Sequence, residues 1–117
     1  HEATGLIVAC QFGHVEVARV LLENGACVNH TDKTGFSSLY AACQSGHLEI
    51  ARLLLENCAD VNVATEEGNS PLRVACALGH VAVAGLLLKK GADINQIGEN
   101  GSSPLYMASQ NGHVDVV

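Results

Sequence analysis

Residues Asp32 to Ala64 read DKTGFSSLYAACQSGHLEIARLLLENCADVNVA, and the chain falls on itself when displaced by 33 residues. Gly-His recurs at Gly13-His14, Gly46-His47, Gly79-His80 and Gly112-His113. A second signature recurs as LLENGACVN from Leu21, LLENCADVN from Leu54 and LLKKGADIN from Leu87. A fixed period of about 20 to 50 residues marks an array of stacked supersecondary units, each too small to bury its own apolar face. The fold class follows: an all-α solenoid of helix-turn-helix units joined by hairpin-like loops.

Within the second unit, Thr34-Gly35 forms a turn, and Ser37 is placed to cap the helix that follows. Its hydroxyl can accept a bond from a free N–H of the first helical turn. The pattern predicts a helix over 38–45, ended by Gly46, which tolerates a left-handed backbone. A second helix is predicted over 48–57, with Leu48, Ile50, Ala51, Leu54 and Leu55 as its apolar face. Glu49 lies in its first turn, where the helix dipole favours a carboxylate.

The third unit has stronger punctuation. Ser70 caps, and Pro71 takes the first helical position, where its missing N–H costs nothing. Gly79 closes that helix, and the next is expected over 81–90, with Lys89 and Lys90 at its C-terminal end and Gly91 beyond. Gly85 replaces the arginine of Arg19 and Arg52, at about 0.5–1 kcal/mol in helix stability relative to Ala. Helices over 5–12 and 15–24 are expected in the first unit. The fourth has its turn at Asn100-Gly101, its cap at Ser103, Pro104 at the helix start and Gly112 at the end. The units are thus 1–31, 32–64, 65–97 and 98–117. The chain opens on His1 without Met and stops inside a unit, so it reads as a fragment of a longer array. Neither end carries the polar capping unit that arrays use for solubility, and apolar, frayed ends are expected.

Composition agrees. Hydrophobic residues make up 48% and aromatics only 3%, which suits a stack of small helices filled by Ala, Leu and Val. The net charge of −6 provides no basic stripe for nucleic acid. No apolar run reaches the roughly 18 residues of a membrane helix, and no signal peptide is visible. Cys10, Cys43 and Cys76 share one column. Neighbouring stacked helices lie about 8–10 Å apart, whereas a disulfide needs Cα atoms within about 7 Å. These thiols are expected reduced and buried, which fits a cytoplasmic or other reducing compartment.

Cys-x-x-x-His appears at Cys10/His14, Cys43/His47 and Cys76/His80. On one helix this spacing can present two metal ligands, or a thiol and a base. Here a glycine ends the helix inside each motif, so the cysteines face the core and the histidines cover the turn. Ligands from adjacent units lie too far apart to share a zinc at about 2.0–2.3 Å. There is no phosphate-binding glycine motif and no nucleophile elbow. Glu66-Glu67, at a hairpin tip, reads as a solvated pair. No cofactor, metal or catalytic residue is expected.

The repeated residues resemble the ankyrin-repeat family along the whole chain. Asp32, Gly35, Ser37, Leu39 and Ala42 carry its first motif, as do Ser70, Pro71, Leu72 and Ala75, and then Ser103, Pro104, Leu105 and Ala108. Where the family has His after Pro-Leu, this chain has Ile7, Tyr40, Arg73 and Tyr106. Arg73 stacked between the two tyrosines and three independent turn-filling side chains are equally open readings of that column. Cys58 stands where Gly25 and Gly91 take a left-handed backbone, at a cost of about 1 kcal/mol, and Cys27 stands where Asp60 and Asp93 do.

The resemblance implies a protein-interaction module whose expected site residues are the positions that break the repeat on hairpin tips and first helices. Those are Lys33, Thr34, Phe36, Gln44, Ser45, Glu66, Glu67, Asn69, Leu78, Glu99, Asn100 and Ser102. Phe12, Phe36 and Leu78 would be apolar anchors, and Glu66, Glu67 and Glu99 an acidic rim. The partner is expected to be a protein, with no nucleic acid and no membrane segment, and the chain monomeric. A spacer within a larger protein is the alternative, and an enzyme using the Cys/His columns a further one. The turn asparagines Asn29, Asn62 and Asn95 are similar in context to ankyrin asparagines that oxygen-sensing dioxygenases hydroxylate. Their primary role is read as bonding local turn backbone.

Overall fold

The computed structural model describes residues 2–92. Over that range the chain forms six helices in three pairs: α1 (Glu2–Phe12) with α2 (Val15–Glu23), α3 (Ser38–Ser45) with α4 (Leu48–Glu56), and α5 (Pro71–Ala77) with α6 (Val81–Lys89). The first helices pack in the order α1, α3, α5, and the second helices form a parallel layer in the order α2, α4, α6. None of the described helices is long and apolar enough to cross a membrane. The fourth unit, including its turn, cap and Pro104, lies outside the described residues.

Local chemistry sets the helix starts. Ser37 Oγ accepts from the Tyr40 N–H at 3.1 Å, and Ser70 Oγ accepts from the Arg73 N–H at the same distance. Both serines are 1% exposed. A buried helix end leaves orphan N–H groups, and these hydroxyls satisfy one each.

The Gly-His pairs end the first helices by a closed bond pattern. Gly46 is left-handed, with φ 75°. The chain then turns so that the His47 N–H reaches the Ala42 carbonyl at 2.9 Å. His14 to Ala9 and His80 to Ala75 repeat this bond, which satisfies a carbonyl that the last helical turn leaves open. The second helices end likewise, with Ala26, Ala59 and Ala92 each donating to the carbonyl five residues back. Cys58 holds the left-handed position there with φ 69°, the one non-glycine among the described residues to do so.

The core is a column of repeated residues. Leu6, Leu39 and Leu72 are buried in the first-helix layer, and Ile50, Leu54, Val83 and Leu87 between the layers. Burying each such side chain contributes about 1.5–3 kcal/mol relative to exposure. Cys10, Cys43 and Cys76 are buried and free, as their shared column predicts. In unit one, Val8, Val17 and Val20 remain exposed, although their counterparts Ala41, Ile50 and Leu53 are buried. The covering layer that unit one gives to unit two is what unit one itself lacks among the described residues.

The helices differ from the expected spans at their ends. α1 begins at Glu2, not near Gly5, and α2, α4 and α6 end one residue early, at Glu23, Glu56 and Lys89. Asn24 and Asn57 cap α2 and α4, each amide donating back to the carbonyl four residues earlier, Val20 and Leu53. The backbone N–H of each asparagine bonds the same carbonyl, and α6 stops at the equivalent place with Lys90 there, so the shared cause is the left-handed residue that follows, Gly25, Cys58 or Gly91. The buried face of α4 also includes Leu53, which the apolar spacing omits. Gly85 lies on the exposed side of α6, where an added Cβ would meet nothing within 4 Å.

Candidate functional site

The hairpin tip of unit two is built on one carboxylate. Asp32 Oδ1 accepts from the Thr34 N–H at 2.9 Å, the Thr34 hydroxyl at 2.7 Å and the Phe36 N–H at 3.0 Å. These bonds, led by that from the Thr34 hydroxyl, hold the Asp32 carboxyl below its ordinary pKa. Unit three has Thr65 in that column, and its hydroxyl accepts one bond, from the Asn69 N–H at 3.3 Å. The Asp32 N–H donates to the Phe36 carbonyl and the Thr65 N–H to the Asn69 carbonyl, so both tips close in the same way.

The two tips lie against each other. The Glu66 N–H donates to the Thr34 carbonyl at 2.8 Å. Gly35, with φ 83°, allows this approach, because a Cβ there would sit 3.0 Å from Thr65 Cα and 3.2 Å from the Ala64 carbonyl. Side chains 32 residues apart in sequence thus share one surface.

Between the tips and α3 lies a groove of about 320 Å³, lined by Thr34, Phe36, Tyr40, Gln44, Thr65, Glu66 and Glu67. The Phe36 and Tyr40 rings meet edge to face, with centroids 5.3 Å apart, a favoured aromatic geometry. Tyr40 is only 7% exposed. Its phenol is raised above the ordinary value, first by burial and then by the nearby Glu67 charge, while Arg73 acts in the opposite sense. Among the described residues the Tyr40 hydroxyl has no hydrogen-bond partner. Arg73, itself buried, donates from its guanidinium to Asn69 Oδ1.

Of the residues expected at a partner surface, Thr34, Phe36, Gln44, Glu66 and Glu67 come together here. Lys33, Ser45, Asn69 and Leu78 do not line the groove: Asn69 is engaged by Arg73, and Leu78 is exposed at the end of α5. Glu99, Asn100 and Ser102 lie outside the described residues. Phe36 is not a free-standing anchor, because it is half-buried against the core and Tyr40. Phe12 is the more open aromatic, at 64% exposure, and it stands apart from the groove. Tyr40 and Thr65 were not expected in the lining. Tyr40 departs from its family column, and that departure is the signal by which it stands out in the sequence. The reading with Arg73 between Tyr40 and Tyr106 involves a residue outside the described range.

The histidines link units rather than merely covering turns. His47 Nε2 lies 3.2 Å from the Gln11 carbonyl, and His80 Nε2 lies 3.1 Å from the Gln44 carbonyl. The backbone beneath Gln44 is held, while its side chain remains exposed to the groove. The cysteines of the same motifs are removed from this chemistry. Burial pushes the Cys10 thiol up to about 12 and the Cys76 thiol up to about 11, and raises Cys43 as well. A thiol so placed is protonated at neutral pH, the opposite of what a nucleophile or a metal ligand requires. Among the described residues, no group of three or more His, Cys, Asp or Glu is placed to hold a metal ion.

The turn asparagines also act across units. Asn29 Nδ2 donates to the Cys58 carbonyl at 3.2 Å, and Asn29 Oδ1 accepts from the Asp60 N–H at 2.7 Å. Its bonds therefore run to the next unit's turn and not to local backbone. Asn62 is exposed and has a partner of its own. Asn95 lies outside the described residues. A second, smaller depression of about 180 Å³ lies in the second-helix layer, lined by Leu48, Arg52, Ala82, Gly85, Leu86 and Lys89. Gly85 is part of its lining, and an added Cβ there would meet nothing within 4 Å.

Three pairs of short helices, left-handed glycines at the ends of the first helices and hairpin tips bonded side by side repeat at one period. A family model described as ankyrin repeats in three copies matches residues 1–65 and again 57–117. No curated protein matches the chain. The two matched ranges cover the chain from end to end, and the chain belongs to the ankyrin-repeat family.

Proposed function

We propose that this chain binds a protein partner across the hairpin tips and first helices, centred on the groove between units two and three. Ankyrin repeats are generally protein–protein interaction modules. The observation that supports this location is the groove itself. It is lined from two tips and one helix by side chains that depart from the repeat, on a backbone fixed by the bonds of Asp32, Gly35 and His80. A rigid surface loses little entropy on binding, so its contacts translate more fully into affinity.

Site-specific photo-crosslinking tests the location. A benzoylphenylalanine at Thr34, Gln44 or Glu66 is expected to yield protein adducts. The same group at Arg52 or Ala82, in the second-helix depression, is not. Adducts confined to the second set would place the partner elsewhere and end the proposal.

A further inference from the structure

The chemistry of the groove also selects its occupant. We infer that the groove between units two and three receives a basic side chain, arginine or lysine, from the partner. This inference rests on the groove being the partner site.

Three observations converge. The Tyr40 phenol is buried, lines the groove and lacks a hydrogen-bond partner among the described residues. A buried hydroxyl without a partner is costly and rare in folded proteins, so it marks a place where an incoming polar group would be satisfied. Glu66 and Glu67 are exposed on the rim, and the Glu67 charge already acts on the Tyr40 phenol. Phe36 and Tyr40 supply aromatic walls. Aromatic rings attract cations through their quadrupole, and carboxylates through charge. An apolar side chain would leave the phenol unsatisfied and desolvate two carboxylates. An acidic one would be repelled by both.

Two cationic side chains of the chain itself stand nearby. The Arg73 charge already acts on the Tyr40 phenol, and its guanidinium donates to Asn69 Oδ1, but Arg73 is absent from the lining that Glu66 and Glu67 share. Lys33 is exposed on the neighbouring tip, and it too is absent from the lining. The −6 net charge of the chain favours encounter with a basic segment over any distance within the screening length.

The test uses the isotope-labelled full chain and three capped tripeptides, Gly-Arg-Gly, Gly-Leu-Gly and Gly-Glu-Gly. Amide shifts on titration report the site. The arginine peptide is expected to shift Tyr40, Gln44, Glu66 and Glu67, and the other two are not. Glu67→Gln and Tyr40→Phe should each weaken that binding about threefold to tenfold. Glu67→Gln lies on an exposed tip, and its amide spectrum shows whether the fold is retained. Preferential binding of the leucine or glutamate peptide in the groove would overturn the basic-side-chain inference while leaving the groove as the partner site. Absence of any shift there, or arginine shifts scattered over the acidic surface, would also overturn it. The crosslinking outcome separately decides the location.

Discussion

The His80 imidazole packs so closely on Gly46 that a Cβ at position 46 would lie 2.8 Å from the ring. The same contact joins His47 and Gly13, at 2.9 Å. The Gly-His dipeptide therefore does two jobs. Glycine supplies the left-handed turn of its own unit and the flat seat for the next unit's ring. Histidine closes its own helix through the backbone and bonds the preceding unit through its side chain.

Gly46→Ala combines left-handed strain with that contact, so it should destabilise by about 2–3 kcal/mol. Gly25→Ala has the strain alone, since nothing lies within 4 Å of its added Cβ, and should cost about 1 kcal/mol. Urea denaturation of both variants measures the difference. Equal losses would mean that the His80 ring gives way freely.

Cys58 is strained at φ 69°, and the glycines in its column meet no obstruction. Cys58→Gly should stabilise by about 0.5–1 kcal/mol, the relief of left-handed strain less the added freedom of the unfolded chain. A rise in the denaturation midpoint with an unchanged slope is the expected result.

The five cysteines should divide by burial. Cys27 and Cys58 are exposed, and Cys10, Cys43 and Cys76 are buried. A thiol reagent at neutral pH should modify two groups per chain in the native state and five after denaturation. Rapid native labelling of Cys43 would contradict the packing of α3.

Acid should loosen the second hairpin. The Asp32 pKa is lowered in the folded chain, so its contribution is fully present above the ordinary value of 3.8 and is lost as pH falls through the lower folded value. The protection of the Thr34 and Phe36 amides, measured against the intrinsic exchange rate at each pH, should therefore fall below about pH 4. In Asp32→Asn the exchange should be faster at neutral pH, and this acid-dependent step should be absent.

Much of this was legible in the sequence because it is local. Ser37, Ser70, Gly46 and Gly91 act on backbone within a few residues, and their types announce those roles. The helix ends were less legible. The helices α2, α4 and α6 each stop one residue before the apolar pattern does, two residues ahead of the left-handed Gly25, Cys58 and Gly91. Tyr40 stood out as a departure from its column, yet nothing in the order of residues placed its phenol in a groove with Glu67.

The sequence alone determined the repeat, the all-α class, the caps and the buried columns, because periodicity and backbone preference act over a few residues and repeat faithfully. Only the tertiary structure decided which variable residues meet. That depends on the stacking register, fixed by the Thr34 carbonyl and Glu66 N–H at the tips and by His80 against Gly46 in the turns. It also decided that Asn29 ties two units together, because the partners of a side-chain amide are set by where the neighbouring unit comes to rest.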